Sequence, residues 1–267
     1  MTENGRRCPP LLKAYCGMVY AFLYLPMGVM MAFSFNNARH NVVWNGFTLQ
    51  WYGKLLGDAE LAGALWTSLE LGLAATIISA VLGMLASYAL TRHGRFRGRE
   101  AYAGLLNVPM MMPEVVLGIG ILTLLVRTRI PLSFWTLVFA HVVFCLPYVV
   151  GAIRARLLSL KSSSLEDAAM DLGATEWEAF RKVTLPLTWP AIFSGALLAF
   201  TVSFEDFVTS FFVAGNGIET LPIRIYSMMK FGVTPEINAL ATLILLFTIV
   251  TIGVYHYSDK GKNQQIM

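Results

Sequence analysis

The chain has 267 residues and a net charge of +4; residues of the hydrophobic set AVILMFWYC make up 56% of it, and charged residues only 13%. A soluble domain usually has about 25% charged residues, so this composition could not cover a water-exposed surface without leaving large apolar patches. It excludes an ordinary cytosolic enzyme, a disordered protein and a disulfide-stapled secreted domain. The three widely spaced cysteines predict neither a disulfide framework nor a metal cluster.

Six apolar stretches follow one another along the chain. Each is about 20–25 residues long, the length that an α-helix needs to cross a hydrocarbon core of about 30 Å. We therefore expect an all-α polytopic membrane protein with six transmembrane helices, forming a single domain over residues 1–267. The stretches cover residues 15–35, 66–90, 101–125, 134–153, 190–214 and 237–257.

The positions of lysine and arginine predict the orientation in the membrane. If both termini are cytoplasmic, 14 of the 20 Lys and Arg residues fall on the inner side and six on the outer side. This distribution obeys the positive-inside rule, so the net positive charge is a topology signal and nucleic-acid binding is not expected.

The first outer loop has aromatic residues, and the second apolar stretch has regularly spaced small residues. Trp44, Trp51 and Tyr52 on the first outer loop could stack on an amine cation or contact a delivery protein, and an interfacial aromatic belt is the alternative. The second stretch has ladders of small residues that allow close helix approach, and we expect them to be packing surfaces. The ladders consist of Ser68, Gly72, Thr76, Ser79, Ala80, Gly83 and Ser87.

The third stretch has an acidic residue beside two prolines. Pro109 and Pro113 each remove a backbone donor, which leaves carbonyls of the preceding turns without helical partners, and Glu114 follows directly. Broken backbone at membrane depth is tolerated only against protein or a water-filled cavity. We therefore expect Glu114 on a cavity wall; a purely structural hydrogen bond is the alternative.

The inner loop over residues 162–186 is polar enough to stay outside the bilayer and predicts two short helices. Ser164 with Asp167, and Thr175 with Glu178, have capping-box spacing, and Gly173 fits the left-handed position after the first helix. Leu185-Pro186 is expected to stop the second helix. The first helix has an apolar stripe flanked by acidic rather than basic residues, which favours docking into a protein groove over lying on anionic lipid.

The same loop carries a family resemblance. Residues 166–186, EDAAMDLGATEWEAFRKVTLP, resemble the EAA loop of ABC importer permeases, with Asp167 at a variable position. Segments 44–47, 96–98, 141–150 and 235–243 are similar to permeases of spermidine/putrescine ABC transporters, so the resemblance extends over about residues 20–257. The motif residues that match are Glu166, Ala168, Ala169, Gly173, Leu185 and Pro186.

The resemblance implies a type I ABC importer permease in the bacterial inner membrane. The loop would be the coupling helix that fits a cleft on an ATP-binding subunit, and a pair of these subunits would hold ATP and Mg. A second, similar permease in a heterodimer and a periplasmic or extracellular substrate-binding protein would complete the transporter. The chain itself has no G-x-x-x-x-G-K-[ST] loop and no catalytic constellation, so we expect a transport subunit without a cofactor rather than an enzyme.

The fifth stretch is interrupted by two acidic residues, Glu205 and Asp206. An ionisable side chain near the bilayer centre costs about 2.5–3.5 kcal/mol. At 1.5 Å per residue, Glu205 and Glu114 both lie about 20 Å from the inner face. One of the carboxylates could instead bond to Ser203, Thr209 or Ser210 and be structural.

The six stretches contain no Lys or Arg, so Glu114, Glu205 and Asp206 would give a pathway an electronegative lining. Such a lining favours a cation, and the ammonium groups of a polyamine are protonated at pH 7 like that of lysine. With Trp44 and Ser203 these acids are the candidate substrate-pathway residues. The alternatives are an ABC permease for another solute, such as thiamine or an iron complex, and a cation-coupled secondary transporter that uses the acids as proton relays.

Overall fold

The computed structural model describes residues 10–38, 43–92, 97–161, 164–230, 232 and 234–263. These residues are helical apart from their connections and one isolated antiparallel bridge between Asn36 and Phe47. A π-helical turn, Phe180–Thr184, joins α8 to α9. The helices are α1 (Pro10–Phe33), α2 (Gln50–Leu56), α3 (Ala59–Arg92), α4 (Arg99–Met111), α5 (Glu114–Arg127), α6 (Phe134–Lys161), α7 (Leu165–Asp171), α8 (Glu176–Ala179), α9 (Leu185–Glu205), α10 (Val208–Val213), α11 (Leu221–Met229) and α12 (Pro235–Asn263).

Four helical segments among the described residues are long and apolar enough to cross a membrane. Helices α4 and α5 meet the same criterion only together, as a pair bent by 112°, and the apolar part of α12, Pro235–Val250, is shorter. The described residues thus give four spans, or five with the bent pair, and the six-span topology stays a prediction. The four segments are Leu11–Phe33, Ala59–Arg92, Phe134–Leu160 and Glu176–Glu205.

The break between α4 and α5 lies at the second of the two prolines. Helix α4 continues through Pro109 and ends at Met111, whereas Met112 is extended, with φ −82° and ψ 141°. The ring of Pro113 disfavours helical backbone in the residue before it, and Pro113 then precedes the first residue of α5. The predicted interruption before Glu114 is therefore confirmed, and Pro113 rather than Pro109 causes it.

A second break lies between α9 and α10. Helix α9 ends at Glu205, and Asp206 is extended with ψ 118°. The Asp206 carboxylate accepts the backbone N–H groups of Thr209 at 3.2 Å and Ser210 at 2.8 Å, which satisfies donors at the start of α10. The expectation of one continuous helix over residues 190–214 is wrong at this point, because the aspartate side chain starts a new helix instead of lying on the old one.

The chain divides into two compact units, one of Met1–Ala59 with Ile225–Met267 and one of Glu60–Arg224. In the first unit α12 packs against α1 and α2, and Lys54 Nζ forms a 2.6 Å salt bridge with Glu236 Oε2. Trp51 Nε1 donates to the carbonyl of Asn36 at 2.8 Å, so Trp51 anchors the loop before α2.

In the second unit α6 is the central helix, and it pairs with α9 in a fixed register. Every fourth residue of α6 from Leu137 to Ile153 is fully buried. Small residues of α9 face this row: a Cβ on Gly195 would lie 3.2 Å from Val149 Cα, and Cys145 Sγ donates to the carbonyl of Ala199 at 3.4 Å. Small residues spaced by four allow such close approach between helices in a membrane.

The small-residue ladders of α3 are packing surfaces, as predicted. A Cβ on Gly83 would lie 2.7 Å from Val149 Cγ1, and one on Gly72 would lie 3.0 Å from a ring carbon of Phe200. Ser87 Oγ donates to the carbonyl of Val150 at 3.3 Å. Helix α3 therefore packs against both α6 and α9, which fixes the framework around the site described next.

Candidate functional site

A cavity of about 240 Å³ opens in the second unit where the two helix breaks meet. It is lined by Glu114 from the start of α5 and by Glu205 and Asp206 from the end of α9. Aromatic and apolar side chains form most of the rest of the wall, including Phe144, Tyr148, Phe207, Met110 and Met112. The structure thus brings together three acids that lie up to 92 positions apart in the sequence.

The three acids differ in burial. The side chain of Asp206 is only 5% exposed and is held by the two backbone N–H groups of α10, whereas Glu114 and Glu205 are exposed. A carboxylate that accepts two backbone N–H groups is fixed in place and is not free to turn towards a solute. The two glutamates can reach into the cavity, so they are better suited to direct contact with a positively charged solute.

A buried histidine stands behind the cavity wall and joins the two sides of the α9–α10 break. His141 of α6 is fully buried; its Nδ1 lies 2.8 Å from Ser203 Oγ and its Nε2 lies 3.1 Å from Ser210 Oγ. The same Nε2 lies 3.5 Å from Asp206 Oδ2. His141 therefore fixes the position of the acidic segment relative to α6.

From the sequence, His141 and Cys145 are spaced by four but are too few to bind a metal, which favours a packing role for His141, and Ser203 is predicted to lie in the pathway. Ser203 is 3% exposed, bonds to His141 and is not among the residues that line the cavity, so it belongs to the support of the wall. A signal was present: the small residues at 195, 199 and 203 have the same spacing of four as the polar positions 141 and 145. Recognising it required the pairing of α6 with α9, which one sequence does not reveal.

Trp44 lies in the first unit. It is 49% exposed, and its ring packs edge to face against Phe33 with a centroid distance of 6.2 Å. Its contact with a solute or a delivery protein stays a prediction.

The predicted helical pair after α6 consists of α7 and α8, with Ser162 and Ser163 of the predicted loop outside the described residues. The capping box at Thr175 is confirmed: the N–H of Glu178 bonds to Thr175 Oγ1 at 3.3 Å, and the N–H of Thr175 bonds to Glu178 Oε2 at 3.1 Å. Gly173 has φ +92°, which confirms its left-handed position.

Two local expectations for this segment are wrong. Ser164 makes no side-chain cap, because its backbone is left-handed, with φ 51° and ψ 24°, whereas a capping residue is usually extended. The carboxylate of Asp167, its predicted partner, forms a 3.0 Å salt bridge with Arg92. Leu185-Pro186 does not stop the chain of helices, since Pro186 lies in the first turn of α9 directly after the π-helical turn, and the helical segment continues from Glu176 to Glu205.

Helices α7 and α8 expose apolar side chains on one side, and on another side α7 faces the rest of the chain. Leu172 is 91% exposed and Trp177 is 66% exposed, and Ala168 is exposed beside them. Glu166, by contrast, turns towards the end of α3 and the π-helical turn. Exposed aromatic and aliphatic side chains next to acidic residues are typical of a docking surface for a protein partner.

Membrane-length helices, an acidic cavity at broken helices and an exposed helical pair define a transport permease. The chain belongs to the family of binding-protein-dependent transport system inner membrane components, whose sequence profile matches residues 79–264.

Two relatives are named as permease proteins of polyamine transport systems. The chain is 43% identical to the spermidine/putrescine transport system permease protein PotC of Haemophilus influenzae, over 95% of this chain and 98% of the relative. It is 44% identical to the putrescine transport system permease protein PotI of Escherichia coli, over 92% of this chain and 90% of the relative. A bacterial ABC transporter that imports the acidic polysaccharide alginate shares the fold, with a TM-score of 0.73 at 16% identity and coverage of 92% and 94%.

Proposed function

We propose that this chain is a permease subunit of an ATP-driven importer for polyamines such as spermidine and putrescine, and that it forms half of the translocation path. The observation that carries the proposal is the cavity in which Glu114, Glu205 and Asp206 meet at two broken helices. Relatives that share 43–44% of the sequence over nearly the whole chain are named as polyamine permeases.

The chemistry of the cavity suits a linear polycation. Carboxylates at separate points of the wall can pair with successive ammonium groups, and the rings of Phe144, Tyr148 and Phe207 add faces for cation–π contact. Such pairs become stronger when the closed path excludes bulk water, because the effective dielectric constant is then lower. A neutral solute would leave the carboxylates without counter-ions, which disfavours it.

The complete transporter contains further subunits in this proposal. A second, similar permease encloses the other half of the path, two ATP-binding subunits that hold ATP and Mg dock on α7 and α8, and a substrate-binding protein delivers the polyamine from outside. Both units of the chain form one permease domain with six spans in the bacterial inner membrane, and both termini are cytoplasmic. ATP is hydrolysed by the partners and not by this chain.

The mechanism is alternating access. ATP binding favours one arrangement of the ATP-binding subunits, the displacement reaches the spans through α7 and α8, and the acidic cavity opens to one side of the membrane and then the other. By linkage, ATP can shift this equilibrium only as far as it binds one state more tightly than the other. The breaks at Met112 and Asp206 allow the wall to change shape without unfolding a continuous helix.

Uptake of labelled putrescine and spermidine into proteoliposomes that contain the complete transporter tests the proposal. Replacing Glu114→Gln and Glu205→Gln together should lower uptake at least about tenfold, which corresponds to about 1.4 kcal/mol, because the two side chains that reach into the cavity then lose the charge that pairs with an ammonium group. Glu100→Gln is the matched control, because Glu100 is an exposed acid of α4 outside the cavity.

Two results would reject the proposal. Unchanged polyamine uptake by the double variant would show that the cavity is not part of the translocation path. Uptake driven by a proton gradient with no ATP-binding subunit present would identify a secondary transporter instead.

A further inference from the structure

Glu166 has an unusual environment for a residue on an exposed helix. Its side chain is only 16% exposed, and its carboxylate has three partners in the same chain. Arg92 Nε lies 3.1 Å from Oε2, the hydroxyl of Tyr88 donates to Oε1 at 3.3 Å, and the hydroxyl of Thr184 donates to the same oxygen. A carboxylate with both oxygens engaged in this way is held in place and is not directed at an outside partner.

The three partners belong to two different long helices. Arg92 is the last residue of α3 and Tyr88 lies one turn before it, whereas Thr184 is the last residue of the π-helical turn that leads into α9. Thr184 is 5% exposed, and the ring of Tyr88 packs against that of Phe180 with a centroid distance of 4.9 Å. Glu166 therefore ties α7 to the inner ends of α3 and α9 at one point.

The far end of α9 is the acidic segment of the cavity. Helix α9 runs without a break from Leu185 to Glu205, and its small residues pack closely on α6, so a displacement at its inner end cannot be absorbed by loose packing. Helix α3 is held against the same framework through Gly72 and Gly83. A shift of α7 that is passed on at Glu166 thus reaches the cavity as a movement of whole helices.

We propose that Glu166 is a positioning residue that transmits the movement of the docking helices to α3 and α9, while the exposed apolar side chains of α7 and α8 make the contact with the ATP-binding subunit. The inference rests on the proposed function, because it takes α7 and α8 as the site where that subunit docks. In this inference Leu172 and Trp177 bind the ATP-binding subunit. The ion pair of Glu166 and Arg92 transmits the movement to α3 and α9. Asp167, whose side chain is 58% exposed, forms a second salt bridge with Arg92 through the Nη2 atom of the guanidinium group.

The test measures how accessible the cavity is to a thiol reagent before and after ATP is added, and it does not depend on transport. In a chain with its native cysteines replaced by serine, Met110→Cys places a thiol on the cavity wall, and an impermeant thiol reagent measures its accessibility in the complete complex. ATP should change the labelling rate, and Glu166→Gln should reduce that change by about 2- to 30-fold, the range known for residues that couple distant sites. The ATP-binding subunits should still co-purify.

Controls distinguish a transmitting role from a loss of fold. Glu100→Gln removes an exposed acid at the start of α4, outside α7 and α8, and should leave the ATP-dependent change intact. Arg92→Met should act like Glu166→Gln, and the double variant should add nothing, because both changes break one interaction. Thermal unfolding in detergent should show all these variants folded.

Two outcomes would overturn the inference. An ATP-dependent labelling change in Glu166→Gln equal to that of the unchanged chain would mean that movement is passed on elsewhere. Loss of the ATP-binding subunits in Glu166→Gln would make Glu166 a docking contact. Failure of the proposed function looks different, since polyamine uptake would then be absent while the labelling change and its dependence on Glu166 persist.

Discussion

The acids at the cavity have two distinct roles at the scale of single residues. The side chain of Asp206 is buried and caps α10 with two backbone hydrogen bonds, so its position is fixed by the fold. Glu205, its neighbour in sequence, is exposed on the cavity wall. Adjacent residues at the end of a helix point in different directions, and the helix break increases that divergence.

This difference predicts that substitutions at the two residues affect different properties, namely stability at Asp206 and polyamine uptake at Glu205. Asp206→Ala removes the cap and should destabilise the folded chain by about 1 kcal/mol, the usual loss for an N-terminal cap. Glu205→Gln should leave stability unchanged and lower polyamine uptake. Thermal unfolding in detergent and uptake in proteoliposomes measure the two effects. Equal destabilisation by both changes would show that Glu205 is structural as well.

Sequence reasoning at this scale recognised charged residues better than their supports. Glu114, Glu205 and Asp206 stand out because an ionisable residue in an apolar stretch has a known cost. His141 does not stand out, because a single histidine in an apolar helix is common and its partners Ser203 and Ser210 are 62 and 69 positions away. A local sequence pattern does not show which distant residues will contact each other in the fold.

At the scale of elements, the helical pair α7–α8 depends on one backbone conformation. Gly173 has φ +92°, and a Cβ there would meet no atom within 4 Å. The demand on this position is thus conformational and not steric. A β-branched residue is strongly disfavoured at positive φ, whereas asparagine tolerates it.

Gly173→Val should therefore change the angle between α7 and α8 and weaken attachment of the ATP-binding subunit, and Gly173→Asn should retain it. A left-handed conformation costs an ordinary residue about 1–2 kcal/mol, which corresponds to about a 5- to 30-fold loss of affinity. Co-purification and a binding titration measure the effect. The docking role of this pair is contradicted if the valine variant binds as tightly as the unchanged chain.

Element boundaries could be predicted where the signal is local. The capping box at Thr175 and the break before Pro113 depend on residues within four positions, and both are confirmed. The cap at Ser164 and the stop at Pro186 failed for a different reason. Ser164 is left-handed instead of extended, and Pro186 lies in the first turn of α9 directly after the π-helical turn.

At the scale of the whole molecule, the distribution of Lys and Arg predicts which side of the membrane each connection faces. A cysteine at Leu172, which is 91% exposed on the predicted inner side, should react with an impermeant reagent only after cells are opened. A cysteine at Thr128, exposed between α5 and α6 on the predicted outer side, should react in intact cells. The measurement uses a chain without native cysteines, expressed without its partners, and the reverse labelling pattern would invert the topology.

The sequence by itself determined the membrane class and the family, and it predicts the side of each connection, because hydrophobic length, charge distribution and a motif of 21 residues are all local or additive properties. It also identified the acids that had to be explained. The tertiary structure decided which of them are presented to the cavity and which one is fixed as a cap, and it revealed His141 and the inward contacts of Glu166. These depend on how α3, α6 and α9 pack, and close packing is a property of distant residues brought together that no single stretch of sequence specifies.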